Sequence, residues 1–302
     1  MKKVLVIAGP TASGKSIFAI ECAIAFNGEI INGDSQQIYT QLNIGTAKIT
    51  QEDQKGIPHH LLNILDYSQP YSVADFQKIC RESIQIISNK HKLAVLCGGS
   101  GHYLKSVLYD YAFPKEDTPQ ETFDSISDEE LYEQLLNIDP IAAQKIHLNN
   151  RKRVIRAINM GLSGTLKSER EAAQNHRPIY DVYMVVLDIE RALLYERIEN
   201  RVELMFKQGL EEEVRTYFSS QDAQCFQSFL GIGYKEFREV LNENKDVELA
   251  KSDIITHTRQ YAKRQLTWFR HQFSATWADP TNQEAMKQVM EDISHWLHKE
   301  NT

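Results

Sequence analysis

Residues 9–16 read Gly9-Pro10-Thr11-Ala12-Ser13-Gly14-Lys15-Ser16, a complete GxxxxGK[ST] pattern. In such a stretch the glycines let backbone N–H groups close around phosphate oxygens. The N-terminus of the helix that follows adds partial positive charge. Lys15 supplies a mobile cation, and Ser16 a hydroxyl able to hold Mg²⁺. The chemistry implied is the binding of a diphosphate or polyphosphate, with no preference for ATP. A kinase or ATPase would add an acidic metal ligand after an apolar strand, and Val185-Val186-Leu187-Asp188 has that form. The other reading of Asp188, which we favour, is a strand end leading into a helix N-cap, because Arg191 opens a helical stretch. His59-His60 looks like a metal pair only in composition, since adjacent residues share a face on neither a helix nor a strand.

The pattern around the motif predicts the elements that must hold it. Residues 4–8 are a short, β-branched apolar run, expected to be a buried strand, and a helix is expected over 16–26. Further strands are expected at 29–31, 93–97 and 182–187. Ser72 and Asp75 have capping-box spacing, and Phe76, Ile79, Cys80, Ile84 and Ile87 then fall on one helical face. Leu194, Ile198, Val202 and Met205 form the apolar stripe of a helix over 191–206, with Gly209 as its stop. Strand, helix and strand in this order predict an α/β fold: a P-loop NTPase-like parallel sheet core. The character changes near Pro114. Eight acids fall within 116–133, and a basic helical window follows. The expected organisation is a core of residues 1–113 plus 178–302, carrying the C-terminal helices, with a small α-helical insertion at 114–177.

The 302 residues carry a net charge of −7, which by itself disfavours nucleic-acid binding. The distribution qualifies this. Residues 141–168 hold six Lys or Arg and no acid, and residues 254–272 hold four and no acid. Such segregation makes local basic faces on an acidic chain. Tyr261, Trp268 and Phe269 in the second window are expected to form a core face. The four cysteines are far apart with no CxxC pair, which argues against a zinc site or a disulfide framework. The apolar run at the N-terminus is too short for a signal peptide, and no stretch is long enough to span a bilayer. A cytoplasmic protein without membrane contact is expected.

Beyond the phosphate motif, GDSQQIY (33–39), GTAK (45–48), PHHL (58–61), YSVADF (71–76), GYKE (233–236) and RQYAKRQLTWFR (259–270) follow in order. With these the chain resembles the tRNA dimethylallyltransferase family over nearly its whole length. The resemblance implies a reaction. The N6 amine of the adenine 3′ of the anticodon attacks C1 of dimethylallyl diphosphate, and diphosphate leaves. It also implies that the phosphate loop, Gly9 to Ser16, grips the diphosphate with Mg²⁺ on Ser16. Lys15, Asp34 and Ser100 are the implied catalytic set, with Asp34 as general base. Asp34, Ser35, Gln36, Gln37 and Ser100 would hold the target nucleotide, and Lys152, Arg153 and Arg156 would contact the tRNA anticodon stem-loop. The chain is expected to act as a monomer. Without the resemblance, Asp34 reads equally as a strand-end residue in an Asx turn.

The chain departs from the family pattern in places. Ser100 stands where the family has threonine, keeping the hydroxyl, and His102 replaces an apolar residue. The insertion is shorter, an arginine expected near Asp124 has no counterpart, and Gly164-Thr165-Leu166 lacks a lysine after the glycine. Leu230 stands where the family carries Gln or Arg, a side chain that assists near the donor phosphates. Three other readings compete: a P-loop small-molecule or nucleoside kinase using Asp188, an alkyltransferase of free adenine nucleotides, and an RNA-binding module with a relic phosphate loop. The basic insertion argues for tRNA over a free nucleotide, and the intact Lys15, Ser16 and Asp34 set argues for an enzyme.

Overall fold

The computed structural model describes residues 1–113, 123–173, 177–243 and 245–299. Six strands, β1 (Lys3–Ala8), β2 (Gly28–Asn32), β3 (His59–His60), β4 (Leu93–Gly98), β5 (Asp181–Leu187) and β6 (Thr276–Ala278), form one sheet. Its order is β3-β2-β4-β1-β5-β6, and every neighbouring pair is parallel. A parallel sheet is covered on both faces, which is why β1 and β4 are continuous apolar runs with no polar alternation. The expected strands at 4–8, 29–31, 93–97 and 182–187 are all present. β3 and β6 escaped the sequence reading because two or three residues display no periodicity.

Contacts divide the chain into Met1–Leu108 with Ile179–Thr302, and Tyr109–Pro178. In the first unit, α1 (Lys15–Ala25), α2 (Val73–Asn89), α3 (Gly101–Leu108), α8 (Arg191–Lys207) and α9 (Leu210–Phe218) accompany the sheet. So do α10 (Arg238–Glu243), α11 (Val247–Gln272) and α12 (Gln283–His298). One apolar core joins Leu5 and Ile7 to Phe18 and Ile20 of α1, Val95, Val185, and Val289 and Ile293 of α12. Each such side chain contributes roughly 1.5–3 kcal/mol by leaving water. The Ser72–Asp75 capping box forms as expected, and α2 buries Phe76, Cys80, Ile84 and Ile87. On α8 the stripe of Leu194, Ile198, Val202 and Met205 is buried. Gly209, at φ 97, separates it from α9.

The smaller unit holds α4 (Asp128–Ile138), α5 (Pro140–Lys145), α6 (Arg151–Leu162) and α7 (Lys167–Ala173). Leu131, Leu135, Ala142, Val154 and Ile158 make its core. Asp139 caps α5 through the Ala142 N–H and also accepts from the Ser168 N–H, tying α7 to α5. The change of character read at Pro114 and the first acids, Glu116 to Glu121, lie outside the described residues.

A buried ion cluster pins the edge of the sheet away from the phosphate loop's end of β1. Glu29, with a side chain 2% exposed, meets His60 at 2.8 Å and Lys90 and Lys92 at 3.0 Å each. Burial pushes its carboxyl up, but the hydrogen bonds from His60, Lys90 and Lys92 outweigh this and leave it at about 2 against an ordinary 4.5. Its stabilisation is therefore complete above pH 4.5 and fades as pH falls toward 2. Glu29→Gln is expected to cost about 2 kcal/mol in urea unfolding at neutral pH. The gap between variant and parent should narrow steadily in the acid range; a gap that stays constant to pH 3 would remove the carboxylate's charge from the explanation.

Candidate active site

The sheet's carboxyl ends gather the chemistry, as open parallel sheets do. β1 runs directly into the phosphate loop, and Gly14, at φ 91, turns the chain into α1. No side chain caps α1, whereas Ser72, Ser127, Glu190, Asp246 and Asn282 cap α2, α4, α8, α11 and α12. The first-turn N–H groups of α1 therefore remain for an anion. Lys15 Nζ donates to Pro10 O at 3.1 Å, folded over the loop it serves. Burial lowers the Lys15 ammonium below the usual lysine range; Arg201 adds to that, while Cys97 and Asp34 oppose it.

The ends of β2 and β4 come together beside the loop. Gly33 N–H donates to Cys97 O at 2.7 Å. A Cβ on Gly98 would stand 2.5 Å from Gly33 O, so only glycine allows this approach. The approach sets Asp34, just beyond β2, near Ser100, just beyond β4. Asp34 does sit in the Asx turn that its sequence position suggested: Oδ1 accepts from Gln36 N–H at 2.8 Å. Asn32 fixes the backbone on either side, accepting from Asp34 N–H and donating to Asp34 O, both at 3.1 Å. The turn occupies one carboxylate oxygen and orients the other.

A cavity of about 590 Å³ unites these parts. Thr11, Ala12, Gly14, Lys15 and Ser16 line it, as do Asp34, Ser35, Gln36 and Gln37. Gly9, Pro10 and Ser13 are buried and do not line it. Ser100 also lies outside the lining but close enough to influence the Tyr261 hydroxyl, and Tyr261 does line it. Burial raises the Tyr261 phenol, the Asp34 charge adds to this, and the Ser100 hydrogen bond opposes it. The expectation of Tyr261, Trp268 and Phe269 as a core face therefore holds only for Phe269, which is fully buried. Tyr261 belongs to the site, and Trp268 packs where a side chain on Gly101 would otherwise go.

Several contributors were not read from the sequence. Gln265 of α11 accepts from Thr11 N–H at 3.1 Å and donates to Gly99 O at 2.9 Å, bridging the phosphate loop to the end of β4. Arg201 of α8 donates to Thr11 Oγ1 at 3.3 Å and to Thr46 O at 3.5 Å. Arg197 and Arg201, four apart and flanking the apolar stripe of α8, both line the cavity. That spacing beside a buried stripe was the available signal. Arg201 is the cation that reaches the phosphate loop. Leu230, the departure expected to matter there, is 49% exposed and faces a separate hollow with Lys235, Arg238 and His257.

The kinase assignment of Asp188 does not hold. Its carboxylate pairs with Arg270 at 2.8 Å and faces a hollow other than the one Lys15 lines. The helix cap is Glu190, which accepts from the Ala192 and Leu193 N–H groups, so Asp188 is not the cap either. Of the second basic window, Arg259 is paired with Glu199 as Arg270 is with Asp188. His59 and His60 serve the fold: His59 Nδ1 meets Ile57 O and His60 meets Glu29, both at 2.8 Å. Lys152, Arg153 and Arg156 stand exposed on α6 of the smaller unit.

A family model described as IPP transferase matches residues 37–272, well over half of the chain. The chain is also 42% identical, over the full length of both proteins, to a protein of Enterococcus faecalis named tRNA dimethylallyltransferase. The chain belongs to the IPP transferase family. Among solved structures it resembles the full-length tRNA isopentenylpyrophosphate transferase from Bacillus halodurans, with TM-score 0.76 and 35% identity over 98% of this chain and 97% of that one. It also resembles a eukaryotic dimethylallyltransferase captured acting on tRNA, with TM-score 0.85 and 29% identity over 98% of this chain and 79% of that one. The family match begins at Gln37, beyond Lys15 and Asp34. Among the described residues no helix is long and apolar enough to cross a membrane.

Proposed function

We propose that the protein transfers a dimethylallyl group from dimethylallyl diphosphate to N6 of the adenine 3′ of the anticodon in tRNA, in the cytoplasm. The observation that carries this reading is a single cavity lined both by the phosphate loop with Lys15 and by Asp34. In this reading the diphosphate lies on the N–H groups of the loop and of α1, with Lys15 and Arg201 against its charge. The amine of the extruded adenine approaches C1 from the Asp34 side. The N6–C1 bond forms as the C1–O bond breaks, diphosphate departs, and the N6 proton passes to the free oxygen of Asp34. Ser100 steadies Tyr261, and Ser35, Gln36 and Gln37 form the wall on which the base rests.

Ser16 fits a Mg²⁺ site, since this exposed serine in the first turn of α1 lines the cavity and this ion keeps most of its ligands as water and phosphate oxygens. When bound, the ion would offset charge on the departing diphosphate. An unpaired loop base is cheaper to extrude than one in a duplex, which favours an anticodon loop. Lys152, Arg153 and Arg156 would meet its phosphates. In this reading the protein acts as a monomer. The test is transfer of label from radiolabelled dimethylallyl diphosphate, with Mg²⁺, to an unmodified anticodon stem-loop, beside AMP and ATP. Label in the RNA is expected. Label in AMP alone would move the protein to free nucleotides, and ATP hydrolysis without transfer would restore the kinase reading.

A further inference from the structure

Two of the sequence motifs, GTAK and GYKE, contribute no group to the reaction as described, yet both meet one buried carboxylate. Glu213 of α9 is 8% exposed. Its two oxygens accept from the backbone N–H groups of Asn43 at 2.9 Å, Ile44 at 2.9 Å and Gly45 at 3.0 Å, and from the Tyr234 hydroxyl at 2.8 Å. Four donors fill the acceptor capacity of a carboxylate. The Tyr234 ring is fully buried against Gly45, where a Cβ would stand 2.5 Å from its Cζ. Glutamate and tyrosine together therefore seat the loop at 43–48 in one position.

That loop leads back to the donor site. Thr46 O accepts from Gln37 Nε2 at 3.1 Å and from Arg201 Nη2 at 3.5 Å. Arg201 Nη1 in turn reaches Thr11 Oγ1 of the phosphate loop at 3.3 Å. A guanidinium held at two points keeps its rigid fork pointed one way, and released from one of them it regains side-chain freedom. We infer that Glu213 is a positioning residue for the donor diphosphate: through the loop at 43–48 and the Thr46 carbonyl, it holds Arg201 in the orientation that meets the phosphates. This rests on the reading of the cavity as a diphosphate site, but not on transfer to tRNA. It assigns a purpose to both motifs. Gly45 and Tyr234 provide the seat, and Thr46 provides the carbonyl.

The substitution that reads this is Glu213→Gln, which sets an amide NH₂ against N–H donors where a carboxylate had accepted. The first measurement is the calorimetric Kd of inorganic diphosphate with Mg²⁺. Glu213→Gln is expected to weaken binding about tenfold and Tyr234→Phe, which removes one donor of the four, about threefold. Glu213→Asp should recover part of the loss. Arg201→Ala should weaken binding more, and adding Glu213→Gln to it should weaken binding no further, because the path runs through Arg201. Thermal unfolding should register Glu213→Gln equally with or without Arg201, which separates lost stability from lost positioning. In the transfer assay the variant should raise KM for the prenyl donor far more than it lowers kcat. A Kd that stays at the parent value, or an equal loss in both Arg201 backgrounds, would overturn the inference. Coupled diphosphate binding in a protein that transfers nothing to RNA would leave it standing while the transferase reading fell. A parent protein that does not bind diphosphate would end both.

Discussion

With Asp34→Ala, prenyl transfer to RNA is expected to fall by at least about a thousandfold while the diphosphate Kd stays within about twofold. The asymmetry follows from where the carboxylate sits. Asp34 is held at the end of β2 by its bonds with Asn32 and Gln36 and lies outside the glycine loop proposed to receive the diphosphate. Its charge nonetheless reaches Lys15, Arg201 and Tyr261, so its removal should be felt most when charge moves during the reaction. Asp34→Asn sharpens the test. An asparagine still accepts from Gln36 N–H and preserves the Asx turn, but it cannot take a proton. Both variants should be inactive. Near-normal turnover in Asp34→Asn would mean that the turn, not the base, is what the reaction needs.

Lys15→Ala should act on the other substrate. The expected result is a loss of roughly a hundredfold or more in diphosphate affinity, carried into kcat/KM for the prenyl donor, with RNA binding nearly unchanged. The lysine's position explains the size. It is folded onto Pro10 O inside the cavity and partly desolvated, so a polyphosphate brought beside it meets a cation poorly screened by water. Lys15→Arg should not restore function, because a planar fork cannot fold into the turn that the compact ammonium occupies. Gel-shift titration with the stem-loop, next to calorimetry with diphosphate, separates the two substrates. A parallel loss of both affinities would indicate that the loop had collapsed.

The features that the sequence alone determined share one property: their chemistry is local. The phosphate loop is legible because donor N–H groups, cation and hydroxyl lie within eight consecutive residues between a strand and a helix. The stripes of α2 and α8 are legible because burial imposes a period on consecutive turns. Asp34 was legible as a turn residue, and its proposal as base came with the resemblance. Asp188 and Tyr261 were misplaced because sequence adjacency to a strand or to an aromatic run says nothing about which side chain finds a partner. Arg270 pairs with Asp188, and Ser100 and Asp34 act on Tyr261, and all of these come from elsewhere in the chain. The rest of the site depends on contacts that no local pattern encodes. Thr11 meets Gln265 across 254 residues and Arg201 across 190, and Asn43 meets Glu213 across 170. A single side chain that bonds a backbone group leaves no periodic mark in its own neighbourhood. Only packing α8 and α11 against the phosphate loop, and α9 against the loop at 43–48, decides which polar groups face the cavity, because burial then obliges each of them to find a partner there.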